Sequence, residues 1–249
     1  MKLIGKELFI FDVDGTIAEA YMPIKERVGD GLCGLLDEGA YVAFVTGRSF
    51  EVVLETIIDR LPCKDGRLPK VYIAPSMASA LYRYVNGKWT ALYEKRMSDE
   101  DVAEIKRVYE KSLMHVEEHM GDTDILAPTA VNKNNFSVAL SSIKPGIDES
   151  VRKAWDPDYK KRECILHEMK HALPQFEMRI GGGTTIDVSA KGVTKALAVN
   201  VLLEHLNIEP SRAVFFGDGI FPSGNDWDVK ETGVEMVPVD DPEDCFEKL

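Results

Sequence analysis

Apolar and polar positions follow two alternating periods along the first part of the chain. Short apolar runs end at small or acidic residues, and each is followed by a stretch with helical spacing. The runs at 7–11, 41–45 and 71–74 predict strands, with helices over 24–37 and 50–61 between them. Strands that alternate with helices are typical of βαβ units, so we expect a parallel sheet.

The pattern changes beyond residue 80. An Asn-Gly pair at 86–87 predicts a β-hairpin, and Ser98–Asp101 has the form of a capping box that opens a helix. Apolar residues alternate with polar ones at 136–140 and again at 176–180. These segments predict antiparallel strands with one face open to solvent.

The alternating βα order returns after Gly181–Gly183, three glycines that we interpret as a hinge between domains. A helix is predicted over 193–206, followed by strands at 213–216 and 234–239. The fold class is therefore α/β, with a Rossmann-like parallel-sheet core and an inserted α+β cap domain.

Three segments make up this predicted organisation. Residues 1–90 form the first part of the core, 91–185 form the cap, and 186–249 form the second part of the core. The chain of 249 residues is 45% hydrophobic and 29% charged, which provides enough apolar material for both cores.

Charge and hydropathy exclude several classes of function. Thirty basic residues against 42 acidic ones leave a formal charge of -12, which argues against a nucleic-acid partner. No apolar run approaches the roughly 20 residues of a membrane-spanning helix. The N-terminal apolar run is interrupted by acidic residues, so we interpret it as a first strand and not as a signal peptide. The four cysteines form no CxxC pair, which favours a reduced, cytoplasmic protein without disulfides.

Acidic and hydroxyl residues follow three of the predicted strands. Asp12 and Asp14 come after the first, Thr46 after the second, and Asp218 after a later one, with Asp226 further along. Ligands of an open parallel sheet bind beyond the carboxyl ends of its strands, so these side chains are expected to converge. Clustered carboxylates suit Mg²⁺, which would neutralise a phosphate oxygen. An ionised aspartate could then attack phosphorus. A second aspartate could protonate the leaving alcohol and later activate the acceptor.

Four segments in this order resemble the motifs of the haloacid dehalogenase superfamily. They are FDVDGT at 11–16, VTGR at 45–48, KGVTK at 191–195 and GDGIFPSGND at 217–226. The position of the insert resembles that in Cof-like sugar phosphatases and eukaryotic-type phosphomannomutases. This resemblance covers nearly the whole chain.

The resemblance implies a role for each motif residue. Asp12 resembles the nucleophile, which also binds the metal, and Asp14 resembles the general acid and base, which also gives a backbone carbonyl to the metal. Thr46 resembles the hydroxyl that binds the transferring phosphoryl group, and Asp218 resembles the acidic metal ligand. Lys195 fits the spacing of the motif lysine better than Lys191 does. Further positions implied to contact or support the substrate are Gly47, Arg48, Asn225 and Asp226.

The resemblance leaves two activities open. The stretch at 180–188 is similar to the return from cap to core in phosphomannomutases, which makes Thr185 and Asp187 candidate substrate contacts. The Thr-Gly-Arg sequence of the second motif is instead typical of phosphatases. Two cap arginines of the mutases align with Asn132 and Ile143, and only other basic residues lie nearby, namely Lys133, Lys144 and Arg152. Lysine does not copy the bidentate fork of arginine.

We therefore expect a Mg²⁺-dependent phosphohydrolase that acts on a small phosphate ester, with a sugar phosphate as the first candidate. Phosphomannomutase is the alternative, and a non-catalytic binding protein is a remote one. By analogy with phosphomannomutases, a homodimer formed through the cap is an open expectation.

One other motif is discounted. His167, Glu168 and His171 match HExxH, but the segment belongs to a charged helix predicted over 159–173, and no third ligand follows at a recognisable spacing. His115 and His119 repeat the spacing and have the same explanation. We interpret all of them as parts of a solvated cap helix.

Overall fold

The computed structural model describes residues 5–120, 126–144, 146–181, 184–222 and 224–249, without the side chains of 116–120, 126, 133, 149 and 153. Two of the three proposed hinge glycines, Gly182 and Gly183, lie outside the described residues, as does Ser223 of the fourth motif. The side chains of Lys133 and His119 also lie outside them.

The described chain divides into two compact units. The first comprises the residues up to Glu94 together with Thr194–Leu249, and the second comprises Lys95–Val193.

Alternating strands and helices build the first unit. Its first segment contains β1 (Leu8–Phe11), α1 (Glu26–Asp37), β2 (Tyr41–Val45), α2 (Phe50–Thr56), α3 (Lys64–Arg67), β3 (Val71–Ala74), β4 (Ala80–Val85) and β5 (Lys88–Glu94). The second unit contains α4 (Asp99–Met120), β6 (Leu126–Lys133), β7 (Ser137–Ile143), α5 (Glu149–Trp155), α6 (Lys160–Ala172), β8 (Phe176–Ile180) and β9 (Thr185–Ala190). The second segment of the first unit contains α7 (Lys195–Leu206), β10 (Ala213–Gly217), β11 (Glu235–Pro238) and α8 (Pro242–Lys248).

The sheet of the first unit has the strand order β11-β10-β1-β2-β3-β4-β5. The first five of these strands run parallel, and the β4–β5 hairpin adds two antiparallel strands at one edge. Asn86 and Gly87 have positive φ angles at the hairpin turn, which confirms the interpretation of the Asn-Gly pair. The mostly parallel sheet confirms the α/β fold class.

Successive residues of each central strand point to opposite faces of this sheet, and both faces are covered. Phe9 and Phe11 of β1 pack with α1 and α2, while Leu8 and Ile10 pack with α7. Because every β1 side chain is buried, the strand appears in the sequence as an unbroken apolar run.

The second unit is an antiparallel sheet of order β6-β7-β9-β8, with α4 and α6 on one face. Apolar residues of β7, such as Val138 and Leu140, pack against Ile105 of α4 and Ile165 of α6. The capping box is present at the start of α4, where Ser98 and Asp101 exchange hydrogen bonds of 2.9 and 3.1 Å.

Both borders between the units lie further along the chain than the 90/91 and 185/186 positions expected from the sequence. β5 continues the first sheet to Glu94, and β9 pairs with β7 and β8 inside the second unit. Strand pairing, which the local sequence does not reveal, sets both positions.

The prediction of a chain without disulfides was wrong. Cys33 of α1 and Cys63, which directly precedes α3, form a disulfide with 5.8 Å between their Cα atoms. Cys164 and Cys245 are free. The two bonded cysteines are 30 positions apart, so only the packing of α1 beside the segment before α3 brings them together. Among the described residues, no helix combines the length and apolar composition that a bilayer crossing requires.

Candidate active site

The carboxyl end of β1 carries the first site residue. Asp12 follows Phe11 directly, and its backbone N–H donates to Phe216 O of β10 at 2.9 Å. Phe11 pairs with Phe44 of β2 and with Phe216 of β10, so the residues that follow these strands lie at the same edge of the sheet. The carboxylate of Asp12 is buried there, with 4% of the residue exposed.

A buried lysine neutralises this carboxylate. Lys195 lies in the first turn of α7, and Thr194 caps the helix by accepting the N–H of Leu197. The Lys195 Nζ donates to Asp12 Oδ1 at 2.5 Å and to Asp226 Oδ1 at 2.6 Å. Lys191 instead lies in the second unit, where its Nζ is 3.5 Å from Glu177.

Opposing effects act on the ionisation of this pair. Burial raises the pKa of Asp12 well above its usual value; Lys195 opposes that rise, while Asp226 and Asp218 add to it. Burial acts to lower the pKa of Lys195, but the charges of Asp12 and Asp226 outweigh it and raise the pKa. The lysine therefore stays an ammonium at neutral pH, and the carboxylates gain from any further positive charge.

Three aspartates provide ligands that suit a divalent cation. Carboxylate oxygens of Asp12, Asp218 and Asp226 all lie within 4.8 Å of one another, and no other such group of His, Cys, Asp or Glu occurs in the described part of the chain. Clustered hard oxygen atoms fit Mg²⁺ better than they fit soft metals. Asp226 was expected only to support the site, whereas its side chain belongs to this group.

The Asp-Gly-Thr turn after β1 lies against Asp218, one of these three aspartates. Gly15 has a φ of +85°, and a Cβ at this position would lie 2.4 Å from Asp218 Oδ2. The hydroxyl of Thr16 donates to Asp12 Oδ2 at 3.4 Å and accepts the N–H of Asp218 at 3.1 Å. We did not single out Thr16 from the sequence, although its place in the first motif was the available signal.

The loop after β10 fixes the remaining fourth-motif residues. Asp226 is fully buried and accepts the N–H of Gly219 at 2.9 Å. The side chain of Asn225 also approaches this loop, since a Cβ on Gly219 would lie 2.4 Å from Asn225 Oδ1. A short 3-10 helix follows at Trp227–Thr232.

The second motif follows β2. Thr46 is fully buried, and its hydroxyl accepts the N–H of Arg48 at 3.1 Å across the half-buried Gly47. Its carbonyl accepts the N–H of Met77 at 2.9 Å. The guanidinium of Arg48 pairs with Asp14, with 2.8 Å between Nη2 and Oδ1. The Asp14 carboxylate is thus held by an arginine and lies outside the group of three aspartates.

Two candidate substrate residues lie on β9 of the second unit. A Cβ on Gly181 would lie 2.3 Å from Asp187 Oδ2 and 2.5 Å from Thr185 Oγ1, so both side chains lie close to this glycine. Asp187 is buried, while Thr185 is partly exposed. These positions form a polar cluster within the cap.

The HExxH segment shows no metal site. Glu168 of α6 pairs with His115 of α4, while His167 and His171 are exposed. None of these side chains belongs to a metal-ligand group among the residues that the structure describes.

Comparisons with known proteins identify a family model, a curated relative and solved structures of the same fold. A model of haloacid dehalogenase-like hydrolases matches residues 9–226. A phosphomannomutase of Encephalitozoon cuniculi (strain GB-M1) is 25% identical over 256 residues, covering 98% of this chain and 92% of that protein. Among solved structures, the IMP-nucleotidase of Plasmodium falciparum, N-terminally truncated and bound to IMP, has a TM-score of 0.71 at 19% identity, covering 98% of this chain and 68% of that one.

The sucrose-phosphatase of Synechocystis sp. PCC6803, in complex with sucrose and phosphate, has a TM-score of 0.55 at 20% identity, covering 94% of this chain and 83% of that one. These solved structures share the fold with this chain. Because the family model spans most of the sequence, the protein belongs to the haloacid dehalogenase-like hydrolases.

Proposed function

We propose that this hydrolase is a Mg²⁺-dependent phosphatase of a small phosphorylated metabolite, with a sugar phosphate as the first candidate. The observation that carries the proposal is the buried Asp12–Lys195–Asp226 array with Asp218 beside it. Asp12, Asp218 and Asp226 would hold the metal, together with the backbone carbonyl of Asp14 that the family resemblance implies. When bound, Mg²⁺ supplies positive charge that neutralises a phosphate oxygen and the clustered carboxylates.

The proposed reaction has two halves. In the first, a carboxylate oxygen of Asp12 forms a bond to phosphorus while the bond from phosphorus to the alcohol oxygen breaks, and Asp14 gives its proton to that oxygen. In the second, Asp14 takes a proton from water, whose oxygen attacks phosphorus and releases Asp12. The Lys195 ammonium and the Thr46 hydroxyl bind the phosphoryl oxygens, where negative charge develops.

Asp12→Asn tests the nucleophile. This change keeps the size of the side chain and a hydrogen-bond acceptor for Lys195, so the variant should fold and release no phosphate from p-nitrophenyl phosphate in Mg²⁺. Asp59→Asn is the matched control, because Asp59 forms an exposed pair with Lys64 and its loss should leave turnover unchanged. Wild-type turnover in folded Asp12→Asn would refute Asp12 as the nucleophile. No phosphate release by the wild-type protein would favour a binding protein.

Phosphomannomutase remains the second candidate because of the 25% identity to the Encephalitozoon cuniculi enzyme and the polar cluster of Thr185 and Asp187. The two positions that align with mutase arginines weigh against it. Ile143 is 1% exposed and packs in the apolar core of the cap, and the Asn132 amide bonds to Asn135. Arg152 donates to Thr184 Oγ1 at 2.9 Å.

A ³¹P NMR time course separates the two activities. Mannose 1-phosphate and glucose 1-phosphate would be supplied with Mg²⁺ and a trace of the matching 1,6-bisphosphate. A growing signal of inorganic phosphate supports the phosphatase. Growth of the 6-phosphate without free phosphate would establish the mutase instead.

A further inference from the structure

The Arg48 guanidinium binds the carboxylate of Asp14. Its side chain is 1% exposed, and its Nε lies 3.1 Å from Asp14 Oδ1 and 3.3 Å from Oδ2. Its Nη2 lies 2.8 Å from the same Oδ1. The planar fork of the guanidinium thus directs two nitrogens at Oδ1 of the carboxylate, which the single ammonium of a lysine does not copy.

The rest of the guanidinium is also occupied by the chain itself. Nη1 donates to Thr56 Oγ1 at 2.8 Å, and Nη2 also donates to Glu19 O at 3.2 Å. Thr56 in turn donates to Val52 O within α2 at 2.5 Å. A buried group with these partners presents little surface to a substrate, which argues against the substrate contact expected for Arg48.

The contacts distinguish the two oxygens of Asp14. Oδ1 accepts three donors, namely Arg48 Nε, Arg48 Nη2 and the backbone N–H of Tyr21 at 2.8 Å. Oδ2 accepts only the longer Nε contact from the residues that the structure describes. Oδ1 already accepts three hydrogen bonds and has little room for another partner. A proton on this carboxyl is therefore best placed on Oδ2.

We propose that Arg48 is a positioning residue that anchors Oδ1 of Asp14 and leaves Oδ2 as the oxygen that exchanges protons with the alcohol and with water. This inference rests on the proposed function, because it assigns the geometry of its acid and base. The protonated acid keeps all three contacts at Oδ1, so one arrangement serves both halves of the reaction.

Leaving-group dependence tests this assignment. Phenyl phosphate and p-nitrophenyl phosphate are similar in size, but the nitrophenolate departs well without a proton and the phenolate does not. Their kcat/KM values report the steps up to departure of the alcohol. Arg48→Lys keeps the charge and loses the fork, so it should raise the ratio of kcat/KM for p-nitrophenyl phosphate to that for phenyl phosphate by about tenfold or more, within the range of general acid catalysis.

Two further variants sharpen the test. Arg67→Lys is the matched control, because Arg67 pairs with Asp37 on an exposed surface and its replacement should leave the ratio unchanged. Thr56→Val loosens Arg48 without touching Asp14 and should raise the ratio by a smaller factor. This variant also provides the test if Arg48→Lys does not fold, as judged by circular dichroism.

The outcomes are distinct. An equal fall in kcat/KM for both esters in folded Arg48→Lys would assign the arginine to substrate binding and overturn the inference. Unchanged kcat/KM values for both esters would also overturn it. If the wild-type protein in Mg²⁺ released phosphate from neither ester, the proposed function itself would fail. A selective loss of phenyl phosphate turnover supports the positioning role.

Discussion

Lys195 and Asp12 are 183 positions apart in the chain, and their charged atoms lie 2.5 Å apart in a fully buried site. The same ammonium contacts Asp226, so one positive charge faces two carboxylates. Removing one partner of such a group leaves charge that is buried and uncompensated. Under the proposed function, we therefore expect both the stability of the fold and the release of phosphate to depend on the same lysine.

Lys195→Met should destabilise the protein by about 3–5 kcal/mol and abolish phosphate release, because Asp12 and Asp226 lose their counter-charge. Urea denaturation with an unchanged m-value measures the loss of stability. Lys64→Met is the control, since Lys64 pairs with the exposed Asp59 and its removal should cost less than about 1 kcal/mol. Equal losses in the two variants would show that the buried ammonium does not stabilise the site.

The effect of Mg²⁺ on stability should depend on pH. Desolvation, and then the charge of Asp226, raise the pKa of Asp218 to about 6. This pKa lies above that of the unfolded chain, so the metal-free fold favours the protonated acid and loses stability as the pH rises through about 6. A cation bound to the ionised carboxylates reverses that loss, and the increase in Tm on adding Mg²⁺ should be larger at about pH 7.5 than at about pH 5.

Thermal melts with MgCl₂ or with EDTA at the two pH values measure this difference. Asp218→Asn should remove most of the increase, because it removes one ligand and one titrating group. An increase in Tm that is the same at both pH values would contradict the assignment of Asp218.

Gly15→Ala should lower stability and also weaken Mg²⁺ binding. The left-handed φ costs about 1–2 kcal/mol with a side chain, and the new Cβ would meet Asp218 Oδ2 at 2.4 Å. Gly66→Ala is a close control, because Gly66 has a similar φ of +82° with no atom within 4 Å of its Cβ. Both variants should lose similar stability from the backbone, and only Gly15→Ala should raise the Mg²⁺ concentration for half-maximal activity. If Gly66→Ala raised it as well, general destabilisation would be the cause.

The sequence was sufficient to predict the five parallel strands of the first sheet and the residues at their ends. Asp12 and Asp218 each follow an apolar run, and parallel strands bring their carboxyl ends to one edge, so the convergence follows from topology. The contacts of Arg48 with Asp14 and Thr56 could not be predicted from the sequence, because they depend on the direction in which side chains point after a turn. The sequence also could not predict that β9 belongs to the cap, because only its pairing with β7 and β8 assigns it there.

The Cys33–Cys63 bond is a further feature that local patterns could not show. It links one face of α1 to the segment before α3, and neither the spacing nor the composition around the cysteines distinguishes them from Cys164 and Cys245. Closing a loop between residues 30 positions apart stabilises a protein by about 3–4 kcal/mol through the entropy of the unfolded chain. Reduction should therefore lower the Tm of the protein by several degrees.

Thiol counting by mass spectrometry tests the bond directly. Alkylation of the denatured protein without reductant should modify two of the four cysteines, namely Cys164 and Cys245, and reduction should expose all four. Cys33→Ser should reproduce the fall in Tm caused by reductant and make the variant insensitive to it. Cys164→Ser is the control and should retain the response to reductant, because Cys164 is free and partly exposed. Four alkylated cysteines before reduction would show that the bond is absent in solution.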